Sequence, residues 1–194
     1  DNLDFNILND ISVYATEYGL INWLKFGYKN DYGWNYNMYC VQKRYRLYNL
    51  AIKSEQYKVL QLINHYHMKD NKGKGISFEF DSMRYALKTS NNTIPKYLFE
   101  NKCKIDFFQI IPTIIDADNC ESFKFFYNHF RVHDSHINHI IRLNRLKMFQ
   151  FLDKIDYNFS WDIAKKIVVF GNLDFLKYII SRYWFIEKDT AAYI

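Results

Sequence analysis

Four histidines, His129, His133, His136 and His139, stand four, three and three residues apart. On one continuous helix that spacing would set the imidazoles on one side, as a zinc site needs. A repeat in the flanking sequence instead puts a helix break between about Phe130 and Ser135, which scatters the rings. No Cys or Glu at helical spacing completes a ligand set beside Asp134. The segment is therefore expected to be an exposed loop between repeats, with no metal and no cofactor. Asp156, Asp162 and Glu187 are too far apart to pair as acid and base. Lys72–Gly73–Lys74–Gly75 lacks the Gly-x-x-x-x-Gly-Lys-Ser/Thr spacing that cradles phosphate, and reads as a loop tip. Lys43, Arg44 and Arg46 lie among Tyr39, Tyr45 and Tyr48, a mixture that suits single-stranded nucleic acid. In a chain with 17 tyrosines it suits better a solvated helix face with tyrosines packed beneath. No catalytic residue can be named, and the expectation is a protein that is not an enzyme.

Composition narrows the class. The 194 residues can bury a real core, nearly half are apolar and a fifth aromatic, so the chain is not disordered. Two prolines and six glycines are too few for a many-stranded sandwich and favour an all-α protein. The net charge of +5 is dispersed, compatible with an acidic protein partner or with nucleic acid. Cys40, Cys103 and Cys120 form no C-x-x-C pair, which fits an intracellular, reducing setting. The longest apolar runs, such as Ile163 to Phe170, fall far short of the roughly 20 residues that span a bilayer, so no membrane partner is expected. The sequence opens on Asp1, as expected of a fragment or a processed form.

The elements that would position any site are read from a repeat. Gly171–Asn172–Leu173–Asp174–Phe175–Leu176–Lys177–Tyr178–Ile179–Ile180 is a glycine, a turn, then apolar residues at helical spacing around one lysine. With Lys177 as reference, the pattern recurs at Lys25, Gln61, Lys96, Lys124 and Gln150. Ten residues earlier stand Ala15, Ala51, Ala86, Ile114, Ile140 and Ile167. Six residues earlier, at the turn, stand Gly19, Glu55, Ser90, Asp118, Asn144 and Gly171. Before and after the reference come Leu24 and Phe26, Leu60 and Leu62, Pro95 and Tyr97, Phe123 and Phe125, Phe149 and Phe151, Leu176 and Tyr178. Each cassette reads as two short antiparallel helices that can bury their apolar faces only by stacking on neighbours.

The expected organisation is one repeat domain over residues 1–194. Its cassettes fall at about 10–30, 44–69, 81–102, 107–131, 135–157 and 161–184. Residues 1–10 read as the tail of an earlier helix and 185–194 as the start of a further first helix. The cassette steps are 36, 35, 28, 26 and 27 residues. The two long steps hold loops at Asp31 to Tyr39 and Asp70 to Phe80, the second ending in an alternating Ile76 to Phe80 that suits a short strand. Asp81 or Ser82, and later Ser160, are the expected N-caps.

Gly171 to Ile179, with the helix Ile163 to Phe170 before it, closely resembles the second-helix segment of an ankyrin repeat, and Ala15 to Lys25 is a second match. The resemblance covers about residues 10 to 194. Thr–Pro–Leu–His is absent from every cassette, and the later steps are shorter than the usual repeat of about 33, a deficit that losing the inter-repeat hairpin would leave. The chain, rich in Asn, Ile, Lys and Tyr, is similar to ankyrin proteins of giant amoebal viruses, and more distantly to the ankyrin-like multigene-family proteins of African swine fever virus. The resemblance implies an all-α, ankyrin-like α-solenoid of about six helix pairs. It further implies a scaffold for protein–protein interaction, without catalytic residues, acting on host proteins inside an infected cell. Two rival readings are a nucleic-acid-binding helical repeat protein and a structural component of a particle or oligomer.

If a partner binds the concave face, the residues eight before each reference should line it: Glu17, Lys53, Lys88, Asp116, Arg142 and Val169. With Arg84 and Lys165 from the neighbouring column, the middle of that row is mostly basic, which anticipates a partner with an acidic surface.

Overall fold

The computed structural model describes residues 5–30, 39–70, 80–89, 91–159, 163–170 and 172–191. Within them the protein is all-α, without a strand, and no helix is long and apolar enough to cross a membrane. The chain divides into two compact units, Asp1–Asp106 and Phe107–Ile194.

The first unit holds three helix pairs: α1 (Phe5–Glu17) with α2 (Ile21–Lys29), α3 (Tyr39–Lys53) with α4 (Tyr57–Asp70), and α5 (Phe80–Leu87) with α6 (Thr93–Glu100). The first helices lie side by side, α1 on α3 and α3 on α5, and α2 packs on α4. The second unit repeats the scheme with α7 (Phe107–Asp116) and α8 (Cys120–Phe126), α9 (Asp134–Arg142) and α10 (Leu146–Lys154), α11 (Ile163–Val169) and α12 (Leu173–Ala191). Here α7 packs on α9, α9 on α11, and α8 on α10.

The residue ten before each reference is the anchor of its pair. Ala15, Ala51, Ala86, Ile114, Ile140 and Ile167 are all fully buried. In five pairs the carbonyl of this residue accepts the N–H of the residue five further on, from Leu20, Gln56, Asn119, Arg145 and Asn172, at 2.8 to 3.4 Å. That bond closes a helix end around a left-handed residue. Gly19 (φ 71°), Glu55 (56°), Asp118 (53°) and Asn144 (58°) occupy that conformation, so Glu55 makes the same turn as the usual turn formers. Ser90 and Gly171 lie outside the described residues. A small or branched side chain is needed at the anchor because neighbouring first helices approach there, while the turn folds the second helix back.

The second helices correct one expectation. The large residues just after the reference do not join those just before it in the core: Phe26 is 49% exposed, and Leu62, Tyr97, Phe125, Phe151 and Tyr178 are half-buried. At 100° per residue they point about 200° away from the buried Leu24, Leu60, Pro95, Phe123 and Phe149. The position two after the reference fills the core instead, with Ile63, Leu98, Phe126 and Leu152.

The displaced aromatics join successive pairs. Asn64, three after one reference, donates from Nδ2 to Tyr97 Oη (2.8 Å), one after the next, and touches Asn101 Oδ1 (3.4 Å). In the second unit Asp153 accepts from Tyr178 Oη (2.5 Å) and from Arg182 Nε (3.1 Å) at the same three positions. Tyr28 stacks on Tyr66 (3.6 Å between centroids) and Tyr127 meets Phe151 edge to face (5.5 Å) at the remaining junctions within the units. The abundance of aromatics is therefore partly a consequence of how the pairs are joined.

Element ends shift in several places. α1 begins at Phe5, so residues 5–10 are its first turns and not the tail of an earlier helix, since no Gly or Pro interrupts the run. α5 begins at Phe80, which puts Asp81 in its first turn, paired with Arg84 (3.3 Å), and sends buried Ser82 to Asn49 (3.1 Å). Neither is an N-cap. α12 continues through Ala191, so residues 185–191 prolong the second helix of the sixth pair. The loop residues 31–38, the strand residues 76–79 and Ser160 lie outside the described residues.

Candidate functional site

The histidine spacing does not produce one face. A 3-10 turn ends at His129 and Phe130 is extended (φ −141°, ψ 159°), so His129 lies on a different element from the other three. His133 sits at the N-cap of α9 and its N–H donates to Nδ1 of buried His136 (3.2 Å). His139 leaves that pair for Asp116. Among the described residues no three His, Cys, Asp or Glu side chains converge as a metal would require. Cys103 is a buried thiol pushed up to about 11 by burial, and burial also raises Cys120, so both remain protonated near neutrality. Of the basic–aromatic group on α3, Arg46 is exposed and Tyr48 fully buried; the side chains of residues 39–45 are not described.

The first-helix ends carry the exposed chemistry. Two residues beyond each buried anchor the chain has turned about 200°, so the side chain must face outward. Glu17, Lys53, Lys88, Asp116, Arg142 and Val169 are exposed without exception. Four close α1, α3, α7 and α9, Lys88 follows α5 directly, and Val169 ends α11 at 72% exposure. Cations at helix C-termini complement the helix dipole, which accounts for part of the basic bias.

In the first unit these residues gather. Lys53 Nζ lies 4.1 Å from the Tyr85 ring centroid, and the Arg84 guanidinium and Lys88 Nζ lie 6.0 Å from the same ring. Tyr85 carries no motif, but it stands eleven before its reference, where Tyr14 and His139 stand in other pairs. Comparing cassettes column by column would have found it.

In the second unit the charges cancel locally. His139 Nε2 is 2.7 Å from Asp116 Oδ1, and its Nδ1 is 3.0 Å from Arg142 Nη2. Arginine can only donate, so Nδ1 accepts from Arg142 and Nε2–H donates to the carboxylate. Arg145, which the sequence reading passed over, donates to the carbonyls of Ile115 (2.9 Å) and Asp116 (2.6 Å) and so caps α7. Lys165 is exposed on α11, without an ion pair among the described residues. The six candidate contact residues thus separate into a basic cluster of Lys53, Arg84 and Lys88, a neutralised set of Asp116 and Arg142, and an isolated Lys165.

No protein-family model matches the chain, and no curated protein or solved structure matches it.

Proposed function

We propose that the chain is a divergent, ankyrin-like solenoid module that binds a protein partner with an acidic surface and catalyses no reaction. The observation that supports this most is the six-fold register, which buries every anchor and exposes every residue two positions later. Such a surface varies in chemistry without disturbing the core, and an interaction scaffold needs that freedom. The setting in this reading is the interior of a host cell, as for the viral ankyrin-like proteins the sequence resembles.

The test compares partner capture by the wild-type chain with capture by Lys88→Glu and Arg142→Glu, using Lys58→Glu on exposed α4 as control. Loss on Lys88→Glu, with the control unchanged, is the expected result. Undiminished capture by both first-helix variants would sink the proposal. A second reading, nucleic-acid binding, draws on the lysines and arginine around Tyr85 and predicts affinity for single strands that falls steeply with salt.

A further inference from the structure

The geometry points to a phosphate-monoester site at Lys53, Arg84 and Lys88, which, on the reading that the partner is a protein, takes a phosphorylated side chain of that partner. Three cations, Lys53 on α3, Arg84 on α5 and Lys88 just beyond it, lie around one aromatic ring. Their separations cannot exceed about 12 Å, comparable to the Debye length at 0.1 M salt, so their mutual repulsion is only partly screened. The ring face attracts Lys53, the closest of the three. Asp81 holds Arg84 at 3.3 Å, in a pair that is about half exposed. Neither Lys53 nor Lys88 makes an ion pair among the described residues.

Three cations and one carboxylate leave two formal positive charges. A phosphomonoester carries about −1.5 to −2 at neutral pH and offers three strong acceptor oxygens. One such group matches both the charge and the number of cationic side chains, with the planar Arg84 fork suited to two of its oxygens. A glutamate supplies one charge and two oxygens, and a nucleic-acid phosphodiester also supplies a single charge. Both leave the cluster under-neutralised. Asp81 competes with the ligand for Arg84, which makes it the residue that weakens the site.

Fluorescence anisotropy on the full chain tests this with a labelled Gly/Ser peptide bearing one phosphoserine, its glutamate and serine counterparts, and a single-stranded oligonucleotide. The phosphopeptide should bind at least about tenfold tighter than the glutamate peptide, a clear separation on the affinity scale. Inorganic phosphate should displace it, Lys53→Ala and Lys88→Ala should each erase most of the difference, and Asp81→Asn should tighten binding about threefold. Lys58→Ala, exposed on α4, should change nothing, and an unaltered helical circular-dichroism signal confirms that each variant is folded. Equal binding of phosphoserine and glutamate peptides overturns the phosphate site while leaving an acidic protein partner standing. Absence of phosphopeptide binding also overturns it, and preference for the oligonucleotide overturns both readings.

Discussion

Tyr178 donates its hydroxyl hydrogen to Asp153 at 2.5 Å, from the second helix of one pair to the second helix of the pair before it. Asp153 is only 6% exposed and also receives Arg182, so a buried carboxylate oxygen takes two hydrogen bonds from the next pair. Tyr97 and Asn64 occupy the same register positions in the first unit, with Asn101 in place of Arg182. The neutral version shows that the hydrogen-bonded form of this junction does not require charge.

Asp153→Asn should therefore be mild, whereas Asp153→Ala should cost about 1.5–3 kcal/mol in urea unfolding, the usual loss for a hydrogen bond to a charged group. Tyr178 is pushed up to about 12, chiefly by burial and then by Asp153. A folded-state pKa above the unfolded value contributes stability that is complete below pH 10 and declines as pH rises toward 12. Ultraviolet titration of tyrosinate should show a late-titrating component, assigned by its loss in Tyr178→Phe, that moves toward the ordinary range in Asp153→Asn. An unmoved transition would disprove the Asp153 contribution.

The left-handed turn between paired helices predicts opposite signs at equivalent positions. Gly19 (φ 71°) has no side chain to strain, and a Cβ there would press on the Gln56 carboxamide. Gly19→Ala should destabilise by about 1–2 kcal/mol. Glu55 adopts φ 56° with a side chain, so Glu55→Gly should stabilise by about 0.5–1 kcal/mol. Glu55→Ala, which removes the charge but keeps the strain, should not. Thermal melts of the three variants settle the matter, and a Glu55→Gly protein less stable than wild type contradicts it.

His136 makes the second unit sensitive to acid. Its Nδ1 accepts the His133 N–H, and its pKa is lowered by burial first and then by His133 and His139. A lowered folded-state value means the stability is present above the ordinary 6.5 and is lost as pH falls below it. His136→Gln keeps an acceptor at the third helical position without a titrating group, as in a capping box. The wild-type melting temperature should fall between pH 7 and pH 5 by more than that of His136→Gln. Parallel curves would exclude His136 as the cause.

Thr16 is fully buried and its Oγ1 has no hydrogen-bond partner among the described residues. Ile52, Leu87, Ile115 and Ile141 hold the same register position, all fully buried. Thr16→Val should stabilise the protein by about 1 kcal/mol or more, because a buried hydroxyl without a partner gives way to a methyl of the same shape. A destabilised variant would mean the hydroxyl is satisfied in solution.

The sequence by itself determined that the protein is helical, and its recurring spacing marks the turns between paired helices at Gly19, Glu55, Asp118 and Asn144. Those properties follow from local periodicity and from helix-end geometry, which a single cassette already carries: Ala15, Ala51 and Ile140 announce buried anchors by spacing alone. Lys53, Lys88 and Arg142 are exposed for the same local reason, since they stand two residues beyond a buried anchor and about 200° round the helix from it. Tertiary structure decided what those residues meet. Tyr85 collects Lys53 across two first helices, His139 bridges Asp116 and Arg142, and Tyr97, Phe151 and Tyr178 serve the junctions instead of the core. Such contacts depend on which column of one pair lies beside which column of the next. That alignment is set by the packing of whole helices, and no single cassette encodes it.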